Sequence, residues 1–222
     1  MKKYLFLLLF TALAACNDHN EKAKGSKKSI NKESVNPSTA KTRLSNKSIY
    51  DSKFITIKNV LINGHKVILS KAEFESIYTH IDSTKTQIWE CGSPFDWIDR
   101  EWMTKTYGEE DRETGIFSKF NGEITTIYSK NIEFATNKHI VLFDTGFANN
   151  NSFKIISHNI ILNKNTTLNE FRNKFPNSEM ETTENLNVVR FRFYLKELND
   201  DAFLFYFKDG KLNYFTLWWL LC

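Results

Sequence analysis

The sequence predicts an α+β body of two similar halves, each a short capped helix packed on an antiparallel sheet that ends in a hairpin. Three observations carry this expectation. The pattern hydroxyl, two residues, glutamate, phenylalanine occurs at Ser70-Lys71-Ala72-Glu73-Phe74 and again at Thr167-Leu168-Asn169-Glu170-Phe171, with a constant offset of 97 residues. Each is a capping box, in which the hydroxyl accepts from a first-turn N–H and the glutamate reaches back to the cap. Segments 117–127 and 205–215 match at an offset of 88 residues, around Asn121-Gly122 and Asp209-Gly210. Such pairs between alternating apolar residues signal hairpins, because both turn positions need φ > 0. Finally, each capping box follows a short β-like apolar run, Val67-Ile68-Leu69 or Ile160-Ile161-Leu162.

In chain order, Asn63-Gly64 marks a tight turn between Leu61-Ile62 and Val67-Ile68-Leu69. After Ser70, the residues Phe74, Ile77, Tyr78 and Ile81 fall at i, i+3, i+4 and i+7, one face of a helix. Ser93-Pro94-Phe95-Asp96 starts a second helix with Pro at its first position; Phe95, Ile98 and Trp102 continue its apolar face and Gly108 suits its end. The offset falls from 97 to 88, so this helix belongs to nine extra residues in the first half. Residues 140–143 read as a strand closing that half. In the second half Leu168, Phe171 and Phe175 share a helix face, and Pro176 stops the helix. Residues 188–195 alternate Phe191, Phe193 and Leu195 against Arg190, Arg192 and Tyr194, the pattern of a half-buried strand. The last run, 215–221, is apolar on both faces. Burial on both sides is the expectation, since such a run left open is an aggregation hazard. The halves are placed at 50–150 and 151–222.

Ahead of the body, Lys2 and Lys3 give a positive start, residues 4–13 form an apolar run of ten, and Ala14 and Ala15 are small. A run that crosses a hydrocarbon core of ~30 Å needs ~20 residues, so this one is a signal-peptide core. Leu13-Ala14-Ala15-Cys16 resembles the lipobox of bacterial lipoproteins. The resemblance implies a signal peptide at 1–15, lipidation of Cys16, and stable membrane anchoring by several acyl chains. Residues 16–49 then form a lipidated, disordered basic tether: without an aromatic residue, they bury too little apolar area to offset their ordering entropy. Positions 17–49 carry eight basic and three acidic residues. The whole chain is at +4, so once the tether's +5 and the +2 of Lys2 and Lys3 are set aside the body is slightly acidic, at −3. A basic tether beside a lipid anchor suits anionic headgroups. The acidic body and the exported address argue against nucleic acid as a partner.

The two capping boxes and the two Xaa-Gly turns together resemble a tandem of the small β-lactamase-inhibitor-protein-like unit. The same unit occurs in the small outer-membrane protein A (BamE)-like lipoproteins. The resemblance covers most of residues 53–221, with Ile68-Leu69-Ser70 and Asn165-Thr166-Thr167 in place of the usual Gly-Met-Thr helix entry. In those families the sheet face and its loops bind other proteins. The resemblance therefore implies a non-catalytic protein-binding module, held in the cell envelope at the periplasmic face or the outer-membrane surface.

Catalytic signals are sparse. The five histidines, His19, His65, His80, His139 and His158, show no metal-ligand spacing, and no Cys-Xaa-Xaa-Cys, Gly-Xaa-Ser-Xaa-Gly, phosphate loop or dinucleotide fingerprint occurs. No metal and no cofactor are expected. His80, Asp82 and Cys91 supply the residue types of a nucleophilic site, without informative spacing. Trp89, Trp97, Asp99, Glu101, Trp102 and Tyr107 form the candidate binding surface, where aromatic anchors lie among carboxylates suited to a basic protein or a glycan. An amphipathic helix with a wet acidic face accounts for the same pattern. Arg190 and Arg192 are a candidate anion contact or an ordinary solvent face. Cys91 and Cys222 are candidates for a disulfide, which an exported compartment permits. The expected function is a membrane-anchored lipoprotein that binds a protein partner. The alternatives are an immunity-type lipoprotein neutralising a toxin, an envelope hydrolase, and a glycan-binding lipoprotein.

Overall fold

A computed structural model describes residues 48–195 and 200–221. The expected signal peptide, Cys16 and nearly all of the expected tether lie outside the described residues, as does Cys222.

Val60–Ile62 (β1) and His65–Lys66 (β2) are joined by Asn63-Gly64, both at positive φ as the turn requires. Ile68–Ser70 (β3) runs into Lys71–Ile77 (α1), followed by Ser83–Ile88 (β4). Phe95–Ile98 (α2) and Arg100–Tyr107 (α3) precede Glu123–Ser129 (β5), Ile132–Thr136 (β6) and Ile140–Phe147 (β7). Phe153–Ile155 (β8) and Ile160–Leu162 (β9) lead to Leu168–Lys174 (α4). Glu179–Thr182 (β10), Val188–Tyr194 (β11), Ala202–Lys208 (β12) and Lys211–Trp218 (β13) complete the chain.

The architecture is α+β with antiparallel sheets. One sheet runs β10-β11-β12-β13-β7-β6-β5-β4, with β3 added beside β7; a smaller one runs β2-β1-β8-β9. Both contain strands from either side of residue 150, so the two stretches of chain share their sheets.

Both capping boxes form. The Ser70 hydroxyl accepts from the Glu73 N–H (3.2 Å) while Glu73 accepts from the Ser70 N–H (2.8 Å). Thr167 and Glu170 repeat this at 3.2 and 2.9 Å. The helices stop at Ile77 and Lys174, where Tyr78 and Phe175 leave helical geometry and press their rings into the core. Ile81 therefore falls beyond its expected helix.

The main aromatic core lies on one face of the large sheet, here called inner. Phe74 of α1 and Tyr78 just after it meet Phe134 at ring distances of 5.0 and 4.7 Å. Phe171 of α4 meets Phe191, Phe205 and Phe207 at 4.9–5.5 Å. Between these, Phe153 of β8 sets its ring edge-on against Phe203, Phe205 and Phe215 at 4.8–5.2 Å. Phe153 and its three partners are fully buried.

Three expectations are corrected. Asn121-Gly122 does not close a hairpin: residues 117–120 curl into a turn through Phe120 N–H to Phe117 C=O (3.0 Å), and β5 pairs with β4 instead. Two of the large sheet's hairpins use Lys130-Asn131 and Asp209-Gly210, all four residues at positive φ. The helix after Ser93 is broken at Asp99 (φ −125°, ψ 31°), whose carboxylate is held by Asn137 and His139, and Pro94 caps its first segment rather than opening it. β13 is central, yet only Phe215 and Leu217 on its inner side are buried among 214–218. Tyr214, Thr216 and Trp218 point to the outer side and are half-buried.

A candidate protein-binding face on the large sheet

Strand register builds the outer face in rows. Glu181, Arg190, Tyr206, Tyr214 and Phe147 stand opposite one another on β10, β11, β12, β13 and β7. Glu179, Arg192, Leu204, Thr216, Thr145 and Glu133 make the next row, ending on β6. The period-two alternation that buries the phenylalanines forces these residues to the other side. On β5, β6 and β7 the outer residues Ile124, Ala135 and Leu142 are buried, whereas Arg190, Tyr206, Tyr214 and Trp218 are partly open.

The open part is pre-organised. Glu181 accepts from Arg190 Nε and from Arg192 Nε (2.6 Å), so one carboxylate is shared by two guanidiniums. Burial pushes the Glu181 carboxyl up, but the hydrogen bonds from Arg192 and Arg190 outweigh it and hold it below its ordinary value. Arg190 also reaches the Tyr206 hydroxyl (3.5 Å), and Tyr206 stacks on Tyr214 at 4.1 Å and 13°. Arg192 lies 5.0 Å from the Trp218 ring centre and 5.7 Å from that of Tyr194, cation–π distances. Phe147, 40 % exposed, packs against Tyr214.

Further along, β7 carries a bulge: Glu133 pairs with Thr145 and Phe134 with Phe143, leaving Asp144 as the extra residue. Burial, with the negative charge of Glu133 second, pushes the Asp144 carboxyl up to about 7. Burial raises Glu133 as well. Among the described residues neither carboxylate has an ion-pair partner.

Of the residues singled out from sequence, Trp102 and Tyr107 meet edge-on at 5.7 Å. Trp89 packs against the core beside a cavity of about 180 Å³. Trp97 is 45 % exposed and meets Trp219 at 5.7 Å. Asp99 is hydrogen-bonded to Asn137 and His139, both at 2.8 Å, and Trp102 stacks flat on His139 at 4.8 Å, so these hold α3 to the β6–β7 turn. Glu101 is exposed, and Tyr107 leans on Phe120 at 4.9 Å. Arg190 and Arg192 do share the outer face, both committed to Glu181. Cys91 is disulfide-bonded and offers no thiol to His80, which contacts Asp82 at 3.1 Å.

Sequence reasoning missed Tyr206, Tyr214, Trp218, Glu181 and Asp144. The row Arg190, Arg192, Tyr194 was visible by period, but its neighbours follow from register. No protein family, curated protein or solved structure matches the chain.

Proposed function

We propose that the protein is a lipid-anchored lipoprotein of the bacterial cell envelope, joined to the membrane at Cys16, whose body is a non-catalytic protein-binding module. Its partner sits on the outer face of β10–β13 and β7. One observation carries this reading: a partly open, hydrogen-bonded surface of Arg190, Arg192, Tyr194, Tyr206, Tyr214 and Trp218. Tyr, Trp and Arg dominate binding energy at interfaces, above all when held rigid before the partner arrives. The body is read as two similar halves, α1 with β4–β7 and α4 with β10–β13. Their matched capping boxes and a sheet order running outward from the β7–β13 junction support this.

Asp144 and Glu133 on the same face favour a partner with a basic side chain there, as an immunity-type lipoprotein would meet in a basic toxin. A glycan reader would need its tryptophans free, and Trp102 is stacked on His139.

Affinity capture of the mature chain from native envelope and culture supernatant tests the proposal. One partner retained by wild type and by a Trp97→Ala/Trp102→Ala variant, but weakened about 30-fold by folded Tyr206→Ala/Tyr214→Ala, is the expected result. Loss with the tryptophan variant instead moves the surface to the acidic aromatic stretch. Capture of no specific protein sinks the binding-module reading.

A further inference from the structure

β4 ends one side of the large sheet. It pairs with β5 from Ser83↔Tyr128 to Ile88↔Glu123, and among the described residues no strand takes its other edge. All six of its residues are exposed, and it has neither proline nor bulge. The opposite edge, β10, has only four residues and carries Glu179 and Glu181. Proteins normally protect edges by shortness, charge, proline or bulges; of these β4 carries only the single charge of Lys85, and the rest of its edge is a template for another chain. Its free N–H and C=O groups match one kind of occupant, an extended main chain.

The side chains say more about that chain. By register with Ile127 and Thr125, Thr84 and Thr86 face the inner side. There, between α1 and the sheet, lies a groove of about 420 Å³ lined by Phe74, Tyr78, Ile81, Thr84, Ile127 and Val141. The outer row of β4 is Ser83, Lys85 and Gln87, and Lys85 makes no ion pair among the described residues. A second copy paired antiparallel on β4 would bring Lys85 towards Lys85 in a row without an acid, which disfavours self-pairing.

We propose that β4 is a docking edge for an extended peptide segment of a partner protein. The segment adds as a further strand, with apolar side chains over the Phe74–Tyr78 groove and an acidic side chain opposite Lys85. Main-chain hydrogen bonds supply affinity; the groove and Lys85 supply selection. This surface is separate from the outer face and stands without it.

The test titrates the full chain with two eight-residue peptides, each alternating valine and threonine, with one central threonine replaced by glutamate in the first and lysine in the second. Amide hydrogen exchange reports binding along residues 83–88. The glutamate peptide is expected to slow exchange there and to bind ~5-fold tighter than the lysine peptide. Lys85→Glu is expected to invert that order. Thr84→Arg, at an exposed position, is expected to abolish protection by both peptides while the thermal melt stays unchanged. No protection by either peptide overturns the proposal. So does equal binding of both by wild type and Lys85→Glu, or protection of 83–88 in the chain alone with sedimentation as a dimer.

Discussion

Asp144 occupies the one extra position of the β7 bulge, with its carboxyl pushed from 3.8 to about 7 by burial and by Glu133. Because the folded chain holds this proton more tightly than the unfolded one, the folded state is favoured at low pH. That advantage is lost as pH rises from about 4 through about 7. The cost at pH 8 is on the order of 4 kcal/mol. Thermal melts at pH 5.5 and 8 are expected to show wild type losing several degrees and Asp144→Asn losing far less. A wild type equally stable at both values would show that the carboxylate finds a counter-charge. Glu181 works in the opposite sense: held below its ordinary value by Arg192 and Arg190 against its burial, it stabilises above the carboxylate range and loses that effect as pH falls through it. Its titration lies below the Asp144 window. The unpaired acid therefore governs the neutral range, where a basic side chain from a partner would relieve it.

At the scale of elements, α1 and α4 are only seven residues long, too short to form alone, and depend on their caps and apolar faces. Thr167→Ala is expected to cost about 1 kcal/mol, read as a fall of roughly 2–4 °C in Tm. Ser70→Ala should behave alike; no change in either would mean that tertiary packing alone sets the helix start. The β7–β13 junction depends on Gly146, where an added Cβ would lie 2.9 Å from Phe215 Cε2 and 3.2 Å from Phe143 Cε2. Both rings are fully buried and have little room to give way. Gly146→Ala is expected to destabilise by about 1–3 kcal/mol in a denaturant titration, with a larger loss for Gly146→Val. Legibility at this scale followed locality. Caps and two-residue turns are short-range chemistry, so Ser70, Thr167, Asn63-Gly64 and Asp209-Gly210 were readable. Asn121-Gly122 has the same composition, but Phe117–Phe120 curls locally and Trp89 N–H takes the Gly122 carbonyl at 2.8 Å. The turn was therefore decided by a distant strand.

Across the whole molecule, one large sheet and one small sheet draw strands from both stretches of the chain, so the body is one cooperative unit rather than two independent ones. Phe153 ties the sheets together, and Phe153→Ala is expected to cost about 3–5 kcal/mol in a single unfolding transition. Two separate transitions would contradict that unity. The cysteines bear on the proposed anchor as well as on stability. Cys91 is disulfide-bonded, and Trp219, near the chain end, already lies against Trp97. A non-reducing peptide map is expected to join Cys91 to Cys222 and to find Cys16 acylated, and Cys16→Ser is expected to release the protein from membranes. A bond between Cys91 and Cys16 would instead remove the proposed lipid anchor.

By itself the sequence determined local pieces: the helix starts at Ser70 and Thr167, the tight turns at Asn63-Gly64 and Asp209-Gly210, and the apolar face of β11. Each is written in residues a few positions apart. The tertiary structure decided the outer face. A two-residue turn at Asp209-Gly210 would place Tyr206 opposite Asn213, but the register shift between Tyr206 and Phe207 places it opposite Tyr214. The ring stack, the reach of Arg190 to Tyr206 and the row leading to Phe147 all depend on that one-residue slip. A shift of one residue carries a strand's side chains from one face to the other, and no periodicity within a single strand records it.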